Sequence, residues 1–225
     1  MKDVFVTGTD TGVGKTVIAC ALVRGLRAAG SLVAVMKPVA AGAERTAAGL
    51  RNLDAILLMR AAASTAAYAD VNPYCFEPPI SPHIAADETK ISIDPRKIKE
   101  KYMQLSLGAD FGVIEGAGGW LAPLGPTVSM ADLAQALGLP ALLVVGVRLG
   151  CLNHAHLTRA AIEARGVPFA GWVASVLEPD MARLTENLAT LEELLGGPPL
   201  VVVPHLRYGL DTLCLERAAR QLLAG

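Results

Sequence analysis

At 225 residues with 52% apolar side chains, the chain is long enough to bury a core without disulfide or metal staples. Its longest apolar stretches, such as Ala141 to Val147, are too short to cross a bilayer and read instead as strands buried on both faces. The 20 Lys and Arg nearly cancel the 21 Asp and Glu, which removes the global pull toward a polyanion that a nucleic-acid binder uses.

The chain opens with Met1-Lys2-Asp3 running straight into Val4 to Thr7, a short strand. That leaves no room for a cleavable leader and predicts a cytoplasmic protein. Gly8 to Gly14 is a loop, and Lys15 to Ala29 continues as a helix with Ile18, Leu22 and Leu26 on one side, stopped by Gly30. Leu32 to Met36 is a second strand, and Lys37-Pro38 stands at its carboxyl end. Residues 40–54 are small and charged and read as a functional loop before a helix over Ala55 to Ala63. Five prolines between residues 72 and 95 predict a long irregular excursion rather than a second domain.

Further on, Ile98 to Leu107 suggests a helix, Phe111 to Glu115 a strand, and Gly116-Ala117-Gly118-Gly119 an open loop that a ligand can approach closely. Val128 to Leu137 reads as a helix, Pro140 to Val147 as a strand, and His154 to Arg165 as a helix ended by Gly166. Phe169 to Val176 and Pro199 to Val203 are later strands flanking a helix from Met181 to Leu195. This alternation predicts one α/β domain over residues 1–225 with a doubly wound, mainly parallel sheet, and the glycine-rich, Lys-Thr-ended loop after its first strand makes it one of the P-loop nucleoside triphosphatase type. Cys20, Cys75, Cys151 and Cys214 are widely spaced without a CxxC pair, so reduced thiols are expected.

The chemistry concentrates in Gly8-Thr9-Asp10-Thr11-Gly12-Val13-Gly14-Lys15-Thr16. The G-x-x-x-x-G-K-[ST] pattern fails at its first glycine, because residue 9 is Thr and Gly8 lies one place early. The physical parts remain. Gly12 and Gly14 permit a tight turn, the helix directs N–H groups at phosphate, Lys15 neutralises terminal phosphates, and the Thr16 hydroxyl can reach Mg2+. A dinucleotide loop fits less well, since its three-glycine spacing is displaced and Gly14-Lys15-Thr16 supplies a cation and a hydroxyl.

Glu115 and Asp54 are candidate metal carboxylates, since α/β sheets gather ligands at the carboxyl ends of their strands. Asp54 reads equally as an ordinary helix N-cap. Lys37, also at a strand end, is available to stabilise a transferring phosphoryl group together with Lys15.

Taken in order, the loop above, Lys37-Pro38-Val39-Ala40-Ala41-Gly42, Ser81-Pro82-His83, Glu115-Gly116-Ala117-Gly118-Gly119 and Val147-Arg148-Leu149-Gly150-Cys151-Leu152-Asn153-His154 resemble the dethiobiotin synthetase family. The resemblance implies a homodimeric biotin-synthesis enzyme that uses ATP, Mg2+, CO2 and 7,8-diaminononanoate, with no nucleic-acid or membrane partner. It implies Lys15 and Lys37 as catalytic residues, with Mg2+ at Thr16, Asp54 and Glu115. Nucleotide contacts are implied at Thr11, Gly12, Val13, Gly14, Lys15, Thr16, Val17, Glu115, Ser175 and Pro204. Diamine contacts are implied at Lys37, Ala41, Gly118 and Gly119, with Leu152 and Asn153 holding the substrate carboxylate across the dimer interface.

Three positions depart from the family pattern. Ala41 stands where Ser is familiar, Ser175 where Asn often recognises adenine, and Asn187 where some relatives carry Tyr near the substrate carboxylate. The resemblance implies a carbamate that attacks the ATP γ-phosphate, followed by ring closure on the neighbouring amine. No protein nucleophile is then needed, and His83, His154, His156 and His205 are expected to be structural or surface residues. The competing readings are a partition-type ATPase, which commonly has a second lysine near the start of its loop where this chain has Asp10, and another ATP-dependent ligase of similar activation chemistry.

Overall fold

The computed structural model describes residues 3–205. Its frame is a six-stranded sheet in the order β10-β9-β8-β1-β7-β2. The strands are β1 Asp3–Gly8, β2 Val33–Met36, β7 Phe111–Glu115, β8 Ala141–Val147, β9 Phe169–Val176 and β10 Val202–Val203. Every pairing among them is parallel, as the strand and helix alternation requires.

Side-chain alternation divides the core. Val4 and Val6 of β1 face α1 (Lys15–Ala28) and α2 (Leu53–Ala62), whereas Phe5 faces α5 (Pro95–Leu105) and α6 (Met130–Leu137) on the other side. Leu143, Val145 and Trp172 close the far end of that second face against α7 (Cys151–Ala164) and α8 (Leu184–Leu195). β8 is buried at all seven positions, which is why it reads as an unbroken apolar run rather than an alternating one.

The segment between β2 and β7 is more ordered than the sequence suggested. Residues 40–54 include an antiparallel hairpin, β4 (Glu44–Thr46) with β5 (Gly49–Arg51). The proline-rich stretch carries β6 (Tyr74–Cys75), paired in parallel with β3 (Val39–Ala40), and α4 (Pro82–Glu88). Pro82 opens α4 at the first position, where its missing N–H has no cost. Ala85 and Ala86 bury its inner face. α3 (Tyr68–Val71) is a single turn.

Other boundaries move for local reasons. α6 starts at Met130 because Ser129 and Asp132 form a reciprocal capping box. α7 starts at Cys151 rather than His154, after Gly150 at φ 93°, so Leu152 and Asn153 lie in its first turn. α8 starts at Leu184 rather than Met181, after Arg183 at φ 57°. β10 is shorter than expected: Leu200 donates to the Trp172 carbonyl and Val201 accepts from the Ala174 N–H, but the regular ladder with β9 holds only Val202 and Val203.

Candidate active site

The β1–α1 loop is held from below and left open above. Gly14 is the N-cap of α1 at φ 94°, without any side-chain cap and without an acidic residue in the first turn. The first N–H groups of the helix therefore remain available to an anion. A Cβ on Gly14 would also come 3.1 Å from Ser175 Oγ. Val13, 1% exposed, anchors the loop on the sheet, with its side chain so close to β8 that a Cβ on Gly146 would meet it at 2.6 Å. Only the main chain of Val13 is left for a ligand.

Within the loop, Lys15 Nζ donates to the Asp10 carbonyl oxygen at 2.8 Å. The Asp10 carboxylate accepts the Thr11 N–H at 2.7 Å and pairs with Arg148 at 2.7 Å. Burial first, and then the charge of Lys37, lower the Lys15 ammonium to about 8. A cation so poorly compensated is poised for an anionic partner.

Beside the loop, three strand and helix ends deliver a charge cluster in which Lys37 and Glu115 are buried and Asp54 is half-exposed. Lys37, just past β2, places Nζ 2.6 Å from Glu115 Oε1 and 2.9 Å from Asp54 Oδ2. It also donates to the Gly116 carbonyl at 3.3 Å. Thr16 Oγ1 donates to the same Glu115 oxygen at 2.7 Å. Lys37 is 4% exposed and Glu115 1%. Burial alone would push the Lys37 pKa down, but the charges and hydrogen bonds of Glu115 and Asp54 outweigh it and hold the pKa above the ordinary lysine value. Asp54 mirrors this: burial acts to raise its pKa, yet Lys37 and Thr16 hold it below the usual carboxylate range. The open reading of Asp54 as an N-cap is thereby corrected, since Asn52 caps α2 and Asp54 lies in its first turn.

Glu115 Oε2 is buried and has no partner. That orphaned oxygen, with the Thr16 hydroxyl and the Asp54 carboxylate nearby, is a hard oxygen donor set of the kind Mg2+ completes with water and phosphate oxygens. Among the described residues there is no group of three or more His, Cys, Asp and Glu able to hold a metal by itself.

A cavity of about 1000 Å3 lies over this cluster. Thr11, Gly12, Gly14, Lys15, Thr16, Val17, Lys37, Ala41, Asp54, Glu115, Gly118 and Gly119 all line it. Pro79, Ile80, Pro82 and Ile84, from the proline-rich stretch, contribute apolar lining to the same cavity. Leu152, Asn153, Ser175 and Pro204 do not line it. Ser175 is buried under the loop, Pro204 is exposed after β10, and Asn153 is exposed on α7. Asn187 donates from Nδ2 to the Arg183 carbonyl at 2.9 Å within its own helix region. His154, His156 and His205 are exposed, while His83 is half-buried with an unpartnered Nδ1.

Several residues at the site escaped sequence reasoning. Asn52 had a usable signal, an Asn directly before an apolar helical run. Tyr68, Asn72 and the Asp10–Arg148 pair had none, because their partners are assembled only by folding. Cys20, Cys75 and Cys151 are free thiols, while Cys214 lies outside the described residues. Among those residues, no helix is long and apolar enough to cross a membrane.

Comparison with known proteins agrees with the geometry. A family model described as an AAA domain matches residues 2–208. The chain is 50% identical over 207 residues to the ATP-dependent dethiobiotin synthetase BioD of Pseudomonas aeruginosa, covering 92% of this chain and 91% of that protein. It is 44% identical over 211 residues to the enzyme of the same name from Xylella fastidiosa, covering 94% and 93%. Among solved structures, the MinD cell division protein of Aquifex aeolicus aligns with a TM-score of 0.62 at 15% identity, covering 100% of this chain and 98% of that one. The septum site-determining protein MinD of Pyrococcus horikoshii, complexed with Mg-ADP, aligns at 0.61 and 18%, covering 100% and 97%. At such identities the two structures speak to the fold alone.

Proposed function

The chain belongs to the ATP-dependent dethiobiotin synthetase family, and on that premise we propose how its residues carry the reaction. The enzyme joins CO2 to 7,8-diaminononanoate and closes the cyclic urea of dethiobiotin, converting ATP to ADP and phosphate. The observation that carries the site assignment is Lys37, held between Asp54 and Glu115 at 2.9 and 2.6 Å on the floor of a cavity that also exposes the phosphate loop. Residues 1–225 act as one catalytic domain, working in the cytoplasm as a homodimer.

The triphosphate lies along residues 11–17, with its charge met by main-chain N–H groups and by Lys15, which exchanges the Asp10 carbonyl for phosphate. Thr16, Asp54 and Glu115 would hold Mg2+, which when bound would neutralise phosphate charge. The diamine's hydrocarbon chain lies against Pro79, Ile80, Pro82 and Ile84, while Gly118 and Gly119 let its amines approach the main chain. Leu152 and Asn153 hold its carboxylate from the second copy, since they do not reach the cavity of their own chain.

One amine adds to CO2, loses a proton and becomes a carbamate. A carbamate oxygen then attacks the γ-phosphorus as the bond to ADP breaks, with Lys15 and Lys37 stabilising the charge on the transferring group. The second amine attacks the carbonyl carbon of the mixed anhydride, phosphate leaves, and the five-membered urea closes. The protein supplies position and electrostatics rather than a nucleophile.

The test is turnover of purified protein with 7,8-diaminononanoate, bicarbonate, Mg2+ and ATP, following the cyclic urea by mass spectrometry and omitting each component in turn. Urea formed only in the complete mixture is expected. ATP hydrolysis that ignores the diamine and yields no urea would overturn the reading in favour of a partition-type ATPase.

A further inference from the structure

The main chain of Lys37 is held as firmly as its side chain. Its N–H donates to the Val71 carbonyl at 2.9 Å, and its carbonyl accepts from Asn72 Nδ2 at 2.6 Å. Asn72 is 2% exposed. Its Oδ1 accepts the Tyr68 hydroxyl at 2.8 Å, and that hydroxyl accepts the Asn52 N–H at 2.7 Å. Asn52 Oδ1 in turn receives the N–H groups of Asp54 and Ala55 at 3.1 and 3.4 Å, while its Nδ2 donates to the Ala41 carbonyl at 3.2 Å. One phenolic oxygen thus joins the support of the lysine to the support of the carboxylate it faces.

We propose that Tyr68 is a positioning residue whose hydroxyl sets the Lys37 and Asp54 supports in register, so that the lysine and the metal-side carboxylate meet in one geometry. The proposal rests on the synthetase reading for the reaction it serves. The Tyr68 hydroxyl both donates and accepts within a partly buried chain of bonds, with Cys75 Sγ a further neighbour at 3.6 Å, and each bond polarises the next. Burial pushes the Tyr68 phenol up. The Arg51 guanidinium, 4.2 Å above the ring, pins the aromatic plane from outside. Tyr68 touches none of the cavity, so its action is entirely through Asn72 and Asn52.

Tyr68→Phe removes one oxygen and preserves ring packing, leaving Asn72 Oδ1 and the Asn52 N–H without their partner. A small misplacement at a transfer site lowers turnover by about tenfold to a hundredfold. The expected result is kcat for urea formation reduced by at least about tenfold with KM for ATP within about twofold, because the nucleotide is gripped by a loop outside this chain of bonds. A readout independent of turnover is Mn2+ binding to the complex of the protein with a non-hydrolysable ATP analogue, followed by electron paramagnetic resonance. The dissociation constant is expected to rise in the variant.

Parent-like kcat and parent-like Mn2+ binding in a folded Tyr68→Phe protein overturn the proposal, as does a parallel fall in kcat, ATP affinity and melting temperature. If Tyr68→Phe does not fold, Asn72→Leu decides, since it approximates the shape and removes both the donor to Lys37 and the acceptor of the Tyr68 hydroxyl without adding a buried charge. Loss of kcat at unchanged KM for ATP supports the proposal there, and parent-like kcat overturns it. Absence of urea from the parent protein would sink the synthetase reading, while the Mn2+ measurement would still judge the positioning role.

Discussion

Lys15 folds back over its own loop, with Nζ 2.8 Å from the Asp10 carbonyl, so its ammonium is parked on a neutral oxygen while Lys37 holds both carboxylates. The two lysines therefore divide the work. One is free to follow phosphate, and the other is fixed beside the metal donors.

Lys15→Ala is expected to lower urea formation by on the order of 100-fold or more, the loss seen when one preorganised charge-stabilising group is removed from a transfer site. The fold should survive, because Lys15 contributes only one local hydrogen bond to the described structure. Turnover at saturating substrates checks this, with size-exclusion chromatography confirming an unchanged assembly. Parent-like activity would remove Lys15 from the catalytic set.

Glu115→Gln keeps side-chain size but removes the charge beside Lys37 and offers Mg2+ a neutral oxygen. Asp54 remains as the counter-charge of Lys37, so the buried lysine is not stranded and the protein should fold. Activity should fall by roughly tenfold or more and require higher Mg2+. A Mg2+ titration with the same half-saturation and the same plateau as the parent would refute a metal role for Glu115.

Ser175 is buried beneath the loop, near enough that a Cβ on Gly14 would meet its hydroxyl at 3.1 Å. A serine cannot span the donor and acceptor pattern of an adenine edge as asparagine does. On the family's placement of residue 175 at the adenine edge, the parent enzyme should show a narrow spread of kcat/KM among ATP, CTP and GTP, and Ser175→Asn should widen it toward ATP. A strong ATP preference in the parent, unchanged by the substitution, would show that residue 175 does not set base selectivity.

Asp132 closes the capping box of α6 and pairs with Arg165. Burial acts to raise its pKa, but hydrogen bonds from Ser129 and the Arg165 charge outweigh it and hold the carboxyl below its ordinary value. A depressed folded pKa gives stability that is complete above the unfolded value of about 3.9 and is lost as pH falls through the lower folded value. Asp132→Asn should thus cost roughly 0.5 to 1 kcal/mol at neutral pH, the worth of a negative charge in the first turn of a helix. The gap to the parent should close in acid, as urea unfolding at neutral pH and below the unfolded pKa would show. A gap independent of pH would assign the effect to packing rather than charge.

The sequence by itself determined the phosphate loop, the parallel sheet and the placement of Lys37 and Glu115 at strand ends, because these depend on contiguous residues. A strand, a glycine-rich turn and an amphipathic helix are legible within about thirty residues, and strands buried on both faces advertise themselves as apolar runs. Tertiary structure alone decided which charges meet. Lys37 and Glu115 are 78 positions apart in the chain, and nothing local in either says that one ammonium will bridge Glu115 and Asp54. The proline-rich stretch was illegible for a related reason: β6 and α4 are too short to announce a period, and α4 gains its cover only when Ala85 and Ala86 are buried in the core. The Asn52–Tyr68–Asn72 chain follows the same rule, since hydrogen-bond partners are selected by distance in space, which folding supplies and residue order does not.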